Sequence, residues 1–347
     1  MLEASLESVT LWFYMVLPSL FPFLVATDML VRLGVADSAG RMLQPLMTLV
    51  WGLPGICAFP FVLGLISGYP VGAKITATLF DEGAISPREA QHILSFCNNP
   101  GPLFVIGTVG TAMLKNPMYG YFILFCIVCG SLVSGILFRF MLPKEAPLSH
   151  RFIPRAKKNT DSFGMLIGKS VKSSLSTVAQ IGGFIVLFGV FLKALEQTHI
   201  LILIGDMLSN IFPLSQGIIT YFMSGMLEMT NGASLFSKLD CTTYERIIGI
   251  TMLLSFGGLS ILGQTVSILS DTPIHIGIYV FSKFINAILS GCFVILLYPW
   301  FTLLLPKEVP VFAFWEINRL PSFGIPLVSI TFLGVVVLYA KYKKTSV

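Results

Sequence analysis

The chain has 347 residues, of which 55% are hydrophobic and 11% are charged, and its mean hydropathy is +0.84. Soluble domains carry about 25% charged residues, so this composition excludes a water-soluble protein and indicates an all-α, multi-pass membrane protein. The net charge of +5 does not indicate nucleic-acid binding, because the basic residues cluster at the predicted membrane edges.

Apolar stretches recur along the whole chain. A complete crossing needs about 20 apolar residues, and we count about eight to ten apolar stretches, some too short to cross alone. Residues 54–67 form a short stretch that Pro60 interrupts. Residues 1–8 contain two glutamates and no basic residue, which is not the pattern of a cleavable signal. The clearest candidate spans are residues 9–30, 118–142, 178–195, 274–305 and 324–340.

Two parts of the chain share one layout, 160 positions apart. In the first part, Gly72-Ala73 is followed 23 positions later by Ser95-Phe96. In the second part, Gly232-Ala233 is followed at the same spacing by Ser255-Phe256. Glycine-interrupted apolar segments at corresponding places in two halves are typical of transporters built from repeats. Chance sharing of common dipeptides is the alternative, which the equal spacing disfavours.

The first half contains a segment in which a helix is expected to break. Gly64, Gly68 and Gly72 recur every four residues around Pro70. Small residues at this spacing let helices approach closely, and proline removes a backbone donor and kinks or ends a helix. A packing face and an unwound helix are compatible interpretations. The glycine face could pack within one chain or between the chains of a homo-oligomer.

A second break is predicted after a short helix at residues 86–97, which opens with a serine cap and a glutamate three residues on. Asn98 and Asn99 follow this helix, and Pro100-Gly101 prevents its continuation. A new helix is expected at residues 103–114. Its free N–H groups face back toward the asparagines, and such a helix end favours an anion.

The second half repeats this arrangement with fewer prolines. Residues 229–232 correspond to residues 69–72, and residues 255–260 supply the later break. A helix is expected to follow at residues 261–269. Opposed helix ends that meet near the middle of the membrane would form a hollow site for a carboxylate-bearing or otherwise polar solute.

Ionisable residues within apolar stretches are candidates for function. Lys74 follows the first break, and Glu228 precedes its counterpart in the second half. Asp28 and Asp206 lie near the ends of their segments, where exposure at the interface is an alternative. Lys283 lies inside the fourth candidate span, where it could pair with a carboxylate or extend to a membrane edge. A proton on one of the three carboxylates, Na⁺ on exposed carbonyls, and uncoupled downhill movement are all left open.

The charge distribution predicts the orientation of the two halves. Lys and Arg concentrate in residues 143–162 and in the C-terminal tail, and cytoplasmic loops attract such residues. The spans that end at 142 and 305 must then end on opposite sides of the membrane, which predicts inverted repeats, each with broken helices and short helical hairpins. The predicted domains are a first repeat (9–142), a basic cytoplasmic linker (143–162), a second repeat (163–305), and an outer loop with a C-terminal transmembrane helix (306–347).

Motifs for catalysis and for cofactor binding are missing from the sequence. It contains no Walker loop, HExxH or GxSxG pattern, and its histidines and cysteines form no metal-ligand cluster. Cys126 and Cys129 have redox or metal spacing, but they lie within a span without histidine or carboxylate neighbours, which favours small buried apolar residues. The sequence therefore predicts neither an enzyme nor a bound metal or cofactor.

Residues 67–74 (SGYPVGAK) and 95–104 (SFCNNPGPLF) resemble the YlbJ family of sporulation integral membrane proteins, also called stage V sporulation protein SpoVV. Members of that family carry nucleoside-recognition gate domains and show a similar SGYP-small-GAK run and an SF-x-N run that ends near Pro-Leu-Phe. The resemblance extends over most of the chain. This sequence departs from the family pattern at Cys97, Asn99 and Gly101.

The resemblance implies a transporter of dipicolinic acid, a small aromatic dianion, from the mother cell towards the forespore. Its location would be the cell membrane, on the mother-cell side, in the outer forespore membrane. The implied partners are the lipid bilayer, the small anionic substrate and a coupling ion (H⁺ or Na⁺). Because gate domains also occur in carriers of other solutes, a nucleoside or other small-solute carrier is an alternative, as is a non-transporting membrane scaffold.

The site residues predicted on this basis lie at or beside the breaks. Lys74 and the helix N-termini would suit the two carboxylates of dipicolinate, the asparagines could donate to them, and an aromatic side chain could stack on the ring. The predicted substrate-binding residues are Tyr69, Lys74, Phe96, Asn98, Asn99, Glu228, Asn231, Ser260 and Gln264. The predicted structural breaks are Gly68, Pro70, Gly72, Pro100, Gly101, Gly232, Gly257 and Gly258.

Overall fold

The computed structural model describes residues 2–33, 35–142, 162–211 and 215–304. Within these ranges every regular element is a helix, which confirms the predicted all-α class. Most of the predicted linker (143–161) and the predicted outer loop and C-terminal helix (306–347) lie outside the described residues.

The first half begins with an N-terminal helix, and a π-helical turn at Trp12–Val16 leads from it into the second helix. A 3-10 turn at Gly55–Cys57 precedes the fourth helix. The elements of this half are α1 (Leu2–Leu11), α2 (Leu17–Arg32), α3 (Val35–Val50), α4 (Ala58–Ser67), α5 (Val71–Asp81), α6 (Pro87–Cys97), the π-helix π1 (Leu103–Met113) and α7 (Pro117–Met141).

The second half begins with a long helix and ends with another. The elements of this half are α8 (Phe163–Gln197), α9 (Ile200–Ser209), α10 (Gln216–Leu227), α11 (Met229–Lys238), α12 (Thr243–Phe256), α13 (Gly258–Ile268) and α14 (Ile276–Leu304). Apart from the 3-10 turn, seven described elements run from α2 to α7 and seven from α8 to α14, and each set ends with short helices followed by a long one, so that π1 corresponds to α13.

The packing of the two halves is reciprocal. Helix α5 contacts α13, and its counterpart α11 contacts π1, the counterpart of α13. In the same way α6 contacts α14, and α12 contacts α7. The counterparts α2 and α8 pack on each other, as do α7 and α14. Such exchange of partners is what an approximate two-fold relation between the halves produces.

Four helical segments among the described residues are long and apolar enough to cross a membrane: Pro117–Met141, Phe163–Leu195, Thr243–Ile268 and Ile276–Leu303. The first and last agree closely with the spans predicted at 118–142 and 274–305. The span predicted at 178–195 is only part of the longer α8, and the span predicted at 9–30 is divided among α1, the π-helical turn and α2.

A bend separates α3 from the short segment that the sequence marks at Pro60. The pair Gly40–Val50 and Gly55–Ser67 would qualify as a fifth span, but its two parts meet at 96°. Helices of 10 to 12 residues, such as α4 and α10, are about 15–18 Å long. They cannot cross a hydrocarbon core of about 30 Å alone, so they meet other elements inside the protein.

Each half starts one of its short helices with the same capping device. Ser86 accepts a hydrogen bond from the Glu89 amide, and the Glu89 carboxylate accepts one from the Ser86 amide, so the predicted helix start is confirmed. Thr242 and Glu245 form the same reciprocal pair at the start of α12. The second capping box strengthens the correspondence between α6 and α12.

Each half contains a hairpin of two short helices, α4–α5 in the first half and α10–α11 in the second, whose helices contact each other at paired glycines. A Cβ on Gly72 would lie 2.5 Å from the Cys97 carbonyl oxygen, and a Cβ on Gly64 would lie 2.9 Å from the Gly72 Cα. In the second hairpin, a Cβ on Gly232 would collide with the Gly225 Cα. The glycine face predicted around Gly64 is therefore filled by close packing within one chain.

Gly72→Ala and Gly232→Ala should each lower the free energy of unfolding by about 1–3 kcal/mol, because a methyl group has no room at either contact. Gly183→Ala is the matched control, since nothing lies within 4 Å of a Cβ at this exposed position of α8. We expect it to be neutral or to stabilise by up to about 1 kcal/mol. Thermal unfolding of the purified protein in detergent measures all three. Equal effects at the three positions would contradict the close packing.

Candidate functional site

The two breaks of the first half touch each other. Helix α4 ends at Ser67, and Gly68 follows with a φ of +86°, which favours glycine. Tyr69 and Pro70 are the only other residues before α5 begins. A Cβ on Gly68 would collide with the backbone of Gly101, which lies in the break between α6 and π1.

The two breaks of the second half meet in the same way. Between α12 and α13 the backbone turns at Gly257 and Gly258, whose φ angles are +89° and +73°. A Cβ on Gly258 would lie 3.1 Å from the Gly225 carbonyl oxygen and 3.2 Å from the Met229 amide nitrogen, both at the turn from α10 to α11. Each half therefore gathers two interrupted segments at one point.

Tyr69 joins these two points across the halves. Its buried hydroxyl donates toward the carbonyl oxygens of Leu254 and Ser255, each 3.1 Å away. These are among the last carbonyls of α12, which lack partners within the helix. Gly257 lies against the Tyr69 ring, where a Cβ would be 3.3 Å from Cζ. A side chain from the first break thus caps the helix that leads into the second.

Asn98 makes a second connection between the halves, from the break after α6 to helices of the second half. Its Nδ2 donates to the Tyr279 hydroxyl at 2.8 Å and to Thr265 Oγ1 at 3.2 Å. Its Oδ1 is buried and has no hydrogen-bond partner among the described residues. Beside it, Asn99 Oδ1 accepts a hydrogen bond of 3.2 Å from Asn286 Nδ2.

Lys283 lies at the centre of this arrangement, with a relative exposure of 1%. Its Nζ donates to the Asn98 carbonyl oxygen at 2.7 Å and lies 4.9 Å from the centre of the Tyr69 ring. No carboxylate within the described ranges forms an ion pair with it. The prediction that Lys283 pairs with a carboxylate or extends to a membrane edge is therefore wrong for the described part of the chain.

An ammonium group without a counter-ion is costly at this depth. Leaving a buried charge unpaired costs on the order of 3–5 kcal/mol. The carbonyl dipole of Asn98 and the face of the Tyr69 ring offset only part of this cost. The ammonium form of Lys283 would therefore be stabilised by a negatively charged partner. We refer to Tyr69, Asn98, Thr265, Tyr279 and Lys283 below as the central cluster.

Most of the second half's contribution comes from α14, on which the sequence analysis named Lys283 but not its polar neighbours. Tyr279, Lys283, Asn286 and Ser290 recur every three to four positions of this otherwise apolar helix and are all buried. Residues at this spacing share one helix face. A periodicity search for polar residues within the predicted span would have found this stripe.

Some predicted binding residues lie in other environments. Phe96 is buried in an aromatic group and stacks on Trp51, with ring centres 5.6 Å apart. The Glu228 carboxylate accepts hydrogen bonds from the amides of Thr230 and Asn231, at 3.0 and 2.7 Å, and so caps α11. This helix N-terminus is thus already occupied by a negative charge.

Lys74 lies among other charged groups, on α5. Its electrostatic neighbours include Asp28, Asp81 and Arg32. Asp28 is buried and pairs with Arg32 at 2.6 Å, which differs from the alternative of interfacial exposure, whereas Asp206 is exposed. Lys74 therefore lies among charged side chains that do not include Lys283.

Ser260 and Gln264 are buried together on α13, one turn apart. Gln264 Nε2 lies 3.5 Å from Ser260 Oγ, and the next residue, Thr265, reaches Asn98. The sequence predicts a hollow at this meeting point. Side chains of the central cluster contact each other there directly, so the site is closed.

The fold and the site together define a multi-pass membrane protein in which interrupted helices meet in a buried polar centre. Residues 13–144 match the Gate family, which is described as nucleoside recognition. Over 314 residues the chain is 31% identical to the sporulation integral membrane protein YlbJ of Bacillus subtilis (strain 168), covering 85% of this chain and 77% of that protein.

The chain therefore belongs to the YlbJ family of sporulation integral membrane proteins, which confirms the resemblance found in its motifs. No solved structure matches it.

Tyr69→Phe should lower the free energy of unfolding by about 1–3 kcal/mol, because two carbonyls at the end of α12 lose their donor inside the protein. Tyr121→Phe is the control, since the Tyr121 side chain is exposed on α7. Thermal unfolding in detergent compares the two variants with the unchanged protein. A Tyr69→Phe variant as stable as Tyr121→Phe would contradict the capping of α12 by Tyr69.

Proposed function

We propose that this protein is a membrane transporter for a small anionic metabolite, and that the metabolite is dipicolinic acid moved from the mother cell towards the forespore. Its place would be the outer forespore membrane. The observation that carries this proposal is Lys283, which is buried between the two halves with no ion-pair partner among the described carboxylates. An anion that enters the central cluster would supply the missing negative charge.

The neighbours of Lys283 suit a flat, doubly charged molecule. Dipicolinate carries a carboxylate on each side of a ring nitrogen, so one ammonium and nearby amide donors can serve both ends. The amides of Asn98 and Asn99 are in the same break. The Tyr69 ring, which now covers the Lys283 amine, offers a face for the aromatic ring.

Transport also requires the closed site to open to each side in turn. The contacts that close it run between the halves, from Tyr69 to the end of α12 and from Asn98 to α13 and α14. Rocking of one half on the other would break and remake this small polar set. Substrate contacts could replace the interhalf bonds during this motion.

Inverted repeats would give such a motion two equivalent end states. The reciprocal packing of α5 with α13 and of α11 with π1 supports a two-fold relation between 9–142 and 163–305. The basic segment 143–162 supports an axis in the membrane plane, because it places the end of the first repeat in the cytoplasm. Residues 306–347 would then form the outer loop and the returning helix.

A second candidate is a carrier of nucleosides. The description of the matched Gate family as nucleoside recognition and the amides of Asn98, Asn99 and Asn286 favour it, because amides bind the edges of neutral bases. Lys283 disfavours it, since a neutral solute offers the buried amine no negative charge to bind. A non-transporting scaffold has no need of such a buried charge. Enzymatic activity is not part of this proposal.

Lys283→Met should reduce dipicolinate uptake by the protein in liposomes by at least about 30-fold, because removing one partner of a buried charge pair costs about 2–5 kcal/mol. Lys238→Met is the control and should transport normally, since Lys238 is exposed at the end of α11. Lys74→Met should have a smaller effect than Lys283→Met. Labelled dipicolinate and a labelled nucleoside are supplied in parallel.

The same variants can be tested in sporulating cells. Spores that contain only the Lys283→Met protein should hold as little dipicolinate as spores that lack the protein. Normal dipicolinate in both strains would contradict the proposal, and uptake of the nucleoside alone would favour the second candidate.

The orientation of the repeats can be tested separately with single cysteines. A cysteine introduced within 143–161 should react with a membrane-impermeant thiol reagent only from the cytoplasmic side, and one within 306–321 only from the opposite side. Reaction of both positions from the same side would contradict inverted repeats. Western blotting of each variant confirms that it is present in the membrane.

A further inference from the structure

We propose that Lys283 couples the anion to a proton, so that its amine binds a proton when the anion binds and releases the proton when the anion leaves. This inference rests on the proposed transport of an anion. It follows from three features of the structure: the burial of Lys283, its two neutral neighbours, and the buried Oδ1 of Asn98, which has no hydrogen-bond partner among the described residues.

Nothing in the closed site requires the amine to be charged. The Asn98 carbonyl accepts a hydrogen bond from a neutral amine as well as from an ammonium group. The Tyr69 ring favours the ammonium, but such a contact recovers only a small part of the hydration that a buried ion loses. Lysine is also the basic side chain whose charge responds most readily to burial.

The groups that face Lys283 do not supply a fixed negative charge. Among the described residues, the titratable groups near it are Cys97 at the end of α6, Tyr69 and Tyr279. Thiols and phenols are neutral near pH 7. The remaining titratable residues of the elements packed against α14 are Arg88, Glu89 and His92 on α6, Tyr119, Tyr121, Cys126, Cys129 and Arg139 on α7, and Tyr244, Glu245 and Arg246 on α12.

Several of these titratable residues have hydrogen-bond partners other than Lys283. Arg139 donates to the carbonyls of Leu49 and Val50, and His92 Nε2 lies 2.8 Å from the Gly135 carbonyl oxygen. Glu245 forms the capping box at the start of α12. A substrate carboxylate would therefore be the negative charge that stabilises the ammonium form of Lys283.

The carboxylates that the sequence offers for proton coupling are less suitable. Asp28 pairs with Arg32, Glu228 accepts two backbone hydrogen bonds, and Asp206 is exposed. None of the three carboxylates forms an ion pair with Lys283. Lys283 is the buried titratable group that a substrate in the cluster would contact directly.

The charge balance of the cycle follows from this assignment. In the loaded state the nitrogen lone pair of Lys283 has formed an N–H bond with one proton, and in the empty state that proton has been released. One proton and one dianion then cross together, so each cycle moves a single net negative charge. A lysine that stays charged throughout would move no proton with the substrate.

The test uses the full chain in liposomes that contain a trapped pH indicator, with labelled dipicolinate outside at pH 7. Addition of dipicolinate should acidify the lumen by one proton per anion taken up. An acidic exterior should raise accumulation at least 10-fold over that without a pH gradient. Protein-free liposomes control for leakage, and Lys238→Met should behave like the unchanged protein.

Lys283→Arg separates coupling from binding, because arginine keeps its proton at all relevant pH values. We expect the proton taken up per dipicolinate bound to fall from one to zero in this variant, and the uptake that it retains not to respond to the pH gradient. Proton uptake on binding, measured by calorimetry of the unchanged protein in buffers of different ionisation enthalpy, gives a second readout that needs no variant. It should equal one proton per dipicolinate.

The outcomes distinguish the two proposals. Dipicolinate uptake by the unchanged protein without proton movement, or binding without proton uptake, overturns the coupling and leaves transport intact. Proton-driven uptake by Lys283→Arg overturns the assignment of the coupling to Lys283. Absence of dipicolinate uptake and binding in the unchanged, folded protein overturns the proposed function itself.

Discussion

The need to satisfy backbone groups inside a membrane determines this structure. Helices that stop within the protein leave carbonyl groups that lipid cannot bind. Here those groups find partners across the halves, because Tyr69 caps α12 and Lys283 binds the Asn98 carbonyl just beyond α6. Within the first half, Asn99 Nδ2 donates to the Phe96 carbonyl oxygen at 2.8 Å. The interrupted helices and the polar cluster therefore depend on each other.

This dependence explains why a costly residue such as Lys283 is compatible with a stable fold. The side chain donates to a backbone carbonyl in the closed site, and the glycines at the breaks allow the helices to approach closely enough for that contact. A site of this kind can exchange partners, since a substrate carboxylate and a helix-end carbonyl both accept the same hydrogen bonds. The structural and the proposed substrate contacts thus involve the same donors.

Much of the fold could be predicted from local sequence signals, and so could Tyr69 and Asn98 of the central cluster, but the contacts that connect the cluster could not. The capping pattern at Ser86 and the apolar spans at 118–142 and 274–305 depend on neighbouring residues, and the structure confirms them. The partners of Asn98 lie more than 160 residues away on α13 and α14. The sequence favoured Lys74 as the binding lysine because it follows a break, whereas in the structure Lys283 is the lysine that contacts residues of both breaks of the first half.

The relation between the halves also shows where their chemistry diverges. The 160-residue offset that relates Gly72 to Gly232 also relates Gly130 to Ser290. Gly130 and Ser290 contact each other where α7 crosses α14. Corresponding residues that lie near a two-fold axis make such a contact.

The same offset relates Lys283 to Ile123 on α7, and Asn98 to Gly258. Ile123 is fully buried and apolar, and Gly258 has no side chain to donate. Helix breaks therefore occur at corresponding places in both halves, whereas the described part of the chain has a buried lysine on α14 and none at the corresponding position of α7. Among the described residues, the two halves thus meet at one buried lysine, and in the proposed transporter its amine would be the position that an anion reaches from either side of the membrane.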